Sequence, residues 1–116
     1  MPRELFIRED TGNTVYGVGR VFDGPNTGLW GNLTTGALEV FDAAHWADYA
    51  TPLVELGNTG LFEADMPAVF NSERTVLIMY YEQLGANPDV GDTDSTVGVY
   101  ELKDQWVASL SFFLFI

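Results

Sequence analysis

The chain has no cysteine, which excludes a disulfide framework, a thiolate metal site and a cysteine nucleophile. Basic residues are nearly as scarce. Arg3, Arg8, Arg20, Arg74 and Lys103 stand against seventeen acidic residues, for a net charge of −12. A phosphate-binding footprint needs clustered Lys and Arg, so nucleic acid is disfavoured as a partner. Anionic membrane surfaces are disfavoured for the same reason. His45 is the single histidine, too few for a zinc site built from several His or Cys ligands. No apolar run reaches the ~20 residues of a membrane helix. The segment Met-Pro-Arg-Glu-Leu-Phe-Ile at the start has no basic stretch leading into an apolar one, so no leader peptide is expected. Internal repeats and linkers are also lacking.

What is present is apolar and turn-rich. Hydrophobic residues make up 47% and aromatics 14% of the 116 residues, enough for one folded domain with a real core despite the charge. Short runs of β-type residues recur between Gly, Asn and Asp turns. Glu4 to Arg8 alternates. Thr14 to Phe22 places Val15, Gly17, Gly19 and Val21 on one face and Tyr16, Val18, Arg20 and Phe22 on the other. Two glycines on one strand face mark a close approach of another backbone or a bulge. Leu29 to Asn32, Ala37 to Phe41, Leu53 to Leu56 and Leu61 to Asp65 read as further strands, the last two joined by a hairpin turn at Gly57-Asn-Thr-Gly60. Met66 to Ser72 reads as an irregular crossover. Thr75 to Tyr81 is apolar on both faces and should be a central, doubly covered strand. Leu84 to Ser95 is an acidic loop, and Thr96 to Leu102 a strand.

Asp42 has the chemistry of a helix N-cap before Ala43–Tyr49. Pro52, through its restriction of Thr51, ends that helix after about two turns. So short a helix must be held by packing, with Trp46 as the anchor. The sum is an antiparallel β-sandwich, immunoglobulin-like or transthyretin-like, with one short helix near 42–50.

Chemistry-bearing groups are few. No serine is placed by the sequence to form a triad with His45, which reads as a surface or capping residue between Asp42 and Asp48. Asp89, Asp92 and Asp94 are weak candidates for a calcium loop. Their spacing is not that of an EF-hand, and a solvated turn closed by Asx hydrogen bonds is the preferred reading. No metal and no cofactor is therefore expected. Trp30 and Trp46, with Tyr49, would make a sugar-stacking platform if two of the rings were exposed, although Trp in a small domain is more often core or interface. Asn32-Leu33-Thr34 matches a glycosylation sequon, a weak pattern. Gly17-Val-Gly19 precedes no helix and is no dinucleotide fingerprint.

The most apolar stretch is Gln105 to Ile116, in which no residue is charged. Burying its large side chains at about 1.5–3 kcal/mol each would rival the net stability of a whole domain, about 5–15 kcal/mol. Left bare it would promote aggregation. The expected organisation is a β-sandwich domain over 1–104 and an apolar C-terminal strand or docking arm over 105–116. Two readings stay open for the arm: a final strand of the domain's own sheet, or a strand docked on a neighbour. Its candidate contact residues are Trp106, Leu110, Phe112, Phe113, Leu114, Phe115 and Ile116.

Several segments in order carry a resemblance. They are Asn13-Thr-Val-Tyr-Gly-Val-Gly-Arg20, Leu29-Trp-Gly-Asn32, Phe41-Asp-Ala-Ala-His-Trp-Ala-Asp-Tyr49, Gly60-Leu-Phe-Glu-Ala-Asp-Met-Pro67 and Gly85-Ala-Asn-Pro-Asp-Val-Gly-Asp92, followed by Val97-Gly98. Together, from about Leu5 to Leu102, the chain resembles small β-rich proteins encoded among the structural genes of tailed bacteriophages and prophages. The resemblance implies a virion component without assigned catalysis, as a capsid decoration protein or a tail or fibre accessory. It implies partners among its own copies and other virion proteins, and it supplies no site residues. The segment after Lys103 departs from the pattern. The expected function is thus structural and not enzymatic, with a carbohydrate-binding module for host-surface recognition as the alternative.

Overall fold

The computed structural model describes residues 5–73 and 75–92, and residues 100–102 as backbone. Nine strands run through them: β1 (Leu5–Arg8), β2 (Val15–Asp23), β3 (Trp30–Asn32), β4 (Ala37–Glu39), β5 (Thr51–Pro52), β6 (Val54–Glu55), β7 (Leu61–Ala64), β8 (Thr75–Glu82) and β9 (Tyr100–Leu102). A 3-10 turn at Ala43–His45 leads directly into one helical turn, α1 (Trp46–Tyr49), and a second 3-10 turn spans Ala68–Phe70.

The strands form two antiparallel sheets, the β-sandwich that the turn spacing predicts. The larger runs β4-β3-β2-β8-β9, with β5 also on β2; the smaller runs β1-β7-β6. β2 is the spine. It pairs with β8 from Val15↔Glu82 to Asp23↔Thr75, with a bulge between Val21 and Asp23. On its other edge it meets β3 at Arg20↔Trp30 and β5 at Tyr16↔Pro52. Of the run read as one strand over Leu53 to Leu56, only Val54–Glu55 is strand, as β6, and β5 lies just before it. Leu53 turns inward between them and donates its N–H to the Val15 carbonyl. Pro52, which cannot donate, ends β5.

The core follows from alternation. Val15, Val21, Val76, Ile78 and Tyr80 on the inner face of the large sheet are buried with Leu5, Ile7, Phe62 and Ala64 of the small sheet. Leu53, Met66 and Phe70 complete this layer. β8 is as apolar as expected, but its two faces are not equal. Val76, Ile78 and Tyr80 are fully buried, whereas Leu77, Met79 and Tyr81 are half-buried on the outer face.

Gly19 of β2 and Gly31 of β3 make room for a ring rather than a backbone, whereas Gly17 faces Ile78 and Tyr80. A Cβ on Gly19 would lie 2.6 Å from Phe70 Cζ, and one on Gly31 of β3 only 2.4 Å from it. Phe70 itself is completely buried. The irregular crossover is therefore the element that seats a buried aromatic ring on the sheet. At the hairpin between β6 and β7, Glu55 accepts from the Gly12 N–H at 3.1 Å, the Gly60 N–H at 2.9 Å and the Thr11 hydroxyl. Thr11 provides the leading cause that holds its carboxyl below the ordinary value. This one carboxylate ties the β1–β2 turn to the hairpin. Gly60 there has φ +77°, and a Cβ would lie 2.7 Å from the Glu9 carbonyl oxygen.

Gly31→Ala and Gly19→Ala should each lower stability by about 1–3 kcal/mol through overpacking, read as a shift of the urea midpoint. Pairing Gly31→Ala with Phe70→Leu should recover part of that loss, since the shorter side chain vacates the clash. Additive losses would show that Phe70 is not the partner of this glycine.

Candidate functional site

The outer face of the large sheet carries an aromatic layer. Tyr16 of β2, Trp30 of β3 and Tyr81 of β8 point outward, and the segment Asp42–Ala50 folds over them. Local chemistry starts that segment as predicted: Asp42 Oδ1 accepts from the Ala44 N–H at 3.0 Å. It consists of a 3-10 turn and a single α-turn rather than a two-turn helix. Trp46 anchors it, edge-on to Tyr16 with centroids 6.5 Å apart and to Tyr81 at 5.2 Å. Tyr49 lies 5.5 Å from Trp30, and Phe41 lies 4.8 Å from Trp30 on the outside.

Beneath these rings runs a buried polar chain. The Trp46 indole N–H donates to the Tyr16 hydroxyl at 2.9 Å, and that hydroxyl donates to Asp92 Oδ2 at 2.6 Å. Asp92 also accepts from the backbone N–H of Asp89 at 2.9 Å and of Leu84 at 3.1 Å. Burial pushes the Asp92 carboxyl up, but the bonds from Tyr16, Asp89 and Leu84 together outweigh it and hold the group below its ordinary value. Burial, with the bond to Asp92, raises the Tyr16 phenol far above its normal range. Neither group is poised to exchange a proton near neutral pH. The chain Trp46–Tyr16–Asp92 fixes the acidic loop to the sheet.

A second polar cluster joins β4 to the helical segment. Glu39 Oε2 accepts from the Tyr49 hydroxyl and from His45 Nδ1, both at 2.7 Å, while Glu39 Oε1 accepts from the Asn32 side-chain amide at 3.2 Å. The Tyr49 hydroxyl in turn accepts from the Asp42 N–H at 2.9 Å. The bond from His45 is the leading cause that lowers the Glu39 carboxyl, followed by the bond from Tyr49. The same bond from Glu39 raises His45, opposed by desolvation and helped by Asp42 at 3.8 Å. Desolvation and Glu39 push Tyr49 up to about 12. Asn32, buried in this corner, spends its Oδ1 on the N–H groups of Thr34 and Thr35.

The sequence candidates are distributed unequally across this face. Trp30, Trp46 and Tyr49 do come together, but Trp46 and Tyr49 are 6% and 0% exposed and covered by other rings. Only Trp30 is half-buried, beside an exposed Phe41. The three rings thus pack as a layer, and a stacking platform would first have to be uncovered. Asp89 and Asp92 lie in one turn, yet Asp92 faces inward and Asp89 Oδ2 accepts from the Gly91 N–H at 2.9 Å. Asp94 and the arm residues Trp106, Leu110 and Phe112 to Ile116 lie outside the described residues. Among the described residues, no group of three or more His, Asp or Glu is placed to hold a metal ion. A cavity of about 420 Å³ between Asp23–Asn26 and Ser72–Glu73 is bridged by the Asn26 amide donating to Glu73 at 2.9 Å. No family model, curated protein or solved structure matches the chain.

Asp92→Asn should cost about 1–3 kcal/mol, because an amide cannot accept from three donors as a carboxylate does. The lowered Asp92 pKa makes its contribution fully present above 3.8 and lost as pH falls through the lower folded value. Urea midpoints of the variant should therefore fall less steeply with acid than those of the parent.

His45 should titrate above 6.5 by NMR and move back toward 6.5 in Glu39→Gln. Its contribution to stability is present below 6.5 and lost as pH rises through the raised folded value. That of Glu39 is present above 4.5 and lost as pH falls through its lowered value. An unshifted His45 resonance in Glu39→Gln would contradict the contact.

Proposed function

We propose that this chain is a bacteriophage virion structural protein, a β-sandwich that assembles with its own copies and with other virion proteins. Its place is on the capsid as decoration, or on the tail or fibre as an accessory, and it carries out no catalytic step. The observation that carries this reading is the apolar character of the sandwich's outer faces. On the small sheet, Phe6 is 53% and Val54 58% exposed on either side of Glu63, with Leu56 also exposed. On the large sheet, Phe22 stands exposed beyond the aromatic layer. Scattered apolar side chains are ordinary on a surface, but rows of them on a sheet face favour a protein partner. The ordered resemblance from Leu5 to Leu102 supports the same assignment.

The apolar arm 105–116 belongs to this proposal on its composition. A segment so rich in Phe and Leu supplies backbone pairing and alternate side chains to a sheet edge. The highly acidic surface keeps free copies apart until a specific contact forms. A chain truncated after Asp104, compared with the full chain by sedimentation and thermal melting, tests the arm. The expected result is a folded chain that assembles poorly. Equal assembly and equal stability would make the arm dispensable, and unfolding of the isolated monomer would assign it to the domain's own core.

A further inference from the structure

The register of the two sheets sets opposite charges at the centres of two apolar rows. Across the large sheet, Trp30, Arg20 and Leu77 are directly opposite one another on β3, β2 and β8. These three lie on the outer face, because Tyr16, Val18 and Arg20 alternate away from the core valines of β2. Arg20 is half-buried, and its Nε is enclosed without a hydrogen-bond partner. Phe22, two residues on, is 48% exposed. Across the small sheet, Phe6, Glu63 and Val54 are directly opposite one another on β1, β7 and β6. They face away from the shared core, since Leu5, Ile7, Phe62 and Ala64 face into it. One outer face is thus an arginine between two apolar side chains, and the opposite outer face a glutamate between two apolar side chains.

We propose that these faces dock on each other between copies, with Arg20 of one copy on Glu63 of the next. The occupant of each face is a second copy of this chain. This deepens the assembly reading above and rests on it. The argument is complementarity of both kinds. A planar guanidinium has five donors and fits a carboxylate in two-point contact. A carboxylate has room for several donors, so Glu63 can receive Arg20 beside an intramolecular partner. The apolar flanks pack around the pair and exclude water, which strengthens it. For chains of charge −12, an arginine at the centre of a face turns general repulsion into a selective contact. The two faces are different surfaces on opposite sides of the molecule, so the contact is head-to-tail. It generates a ring if the rotation closes and a filament if it does not.

The test is a charge swap read by sedimentation velocity on the full chain, with thermal melts to establish that each variant is folded. Arg20→Glu and Glu63→Arg should each weaken association by roughly 30-fold or more. The double variant should restore it, because the pair is reversed and not removed. An equimolar mixture of the two single variants should restore association in alternating order, since each face of one variant then meets a face of opposite charge on the other. Should a reversal fail to fold, Arg20→Gln and Glu63→Gln give the same comparison with milder changes, and each should weaken association. A full chain that stays monomeric at every concentration overturns the contact, as do folded single variants that associate like the parent or a folded double variant that is not restored. If loss of residues 105–116 abolishes association while the single variants retain it, the Arg20–Glu63 contact fails and the assembly reading stands.

Discussion

The hydroxyl of Tyr16 is where three parts of the molecule meet. It belongs to the central strand, accepts from Trp46 in the helical cover and donates to Asp92 in the acidic loop. A helical segment of two short turns has no stability of its own. It stays on the sheet because Trp46 inserts among Tyr16, Trp30 and Tyr81 and because the indole N–H is satisfied there. The loop from Gln83 to Asp92 has hardly any apolar anchor, and its most prominent hydrophobic side chains, Leu84 and Val90, point to solvent. Its conformation is imposed from inside by one carboxylate. Removing the phenol oxygen would leave a buried indole N–H and one of the acceptor sites of Asp92 unmet, a penalty larger than the net worth of either bond.

The cover is asymmetric. It protects the end of the large sheet that carries Tyr16 and Tyr81, and it is fastened to β4 through Glu39, His45 and Tyr49. The other end, with Arg20 and Phe22, lies beyond it. The small sheet has no corresponding helical cover among the described residues, and its outer face keeps Phe6, Val54 and Leu56 in the open. The molecule therefore divides its aromatic content sharply. Among the described residues, most of the tyrosine and tryptophan is consumed in holding the sandwich and its cover together, and the large exposed apolar side chains are Phe, Val and Leu.

Strand character was legible wherever one local pattern decided it. The alternation of Thr14 to Phe22 and the double-faced run Thr75 to Tyr81 placed β2 and β8 within a residue of their observed bounds. Asp42 announced its cap through side-chain chemistry alone. Misreadings arose where the deciding partner is distant in sequence. The glycines at 17 and 19 signalled a close approach, but only the fold reveals that Phe70, in a segment without strand or long-helix periodicity, is what approaches Gly19. Asp92 sits in a run of acidic turn residues that reads as solvated. Its partner Tyr16 is 76 residues away, and nothing local marks this carboxylate as the inward one. Trp46 and Tyr49 offered the same composition to a binding platform and to a core. Their covering by Tyr16, Trp30, Phe41 and Tyr81 is a tertiary fact.

The seat of Phe70 has a consequence for how the chain finds its fold. A strand slipped by one position turns every side chain to the other face. In such an arrangement of β2 and β3, the ring would meet Val18 or Arg20 in place of Gly19, and Trp30 or Asn32 in place of Gly31. None of these leaves room for an aromatic ring against the sheet. Phe70 thus acts as a key cut for one alignment of two strands. Proofreading of strand register is vested in a residue that belongs to neither of them.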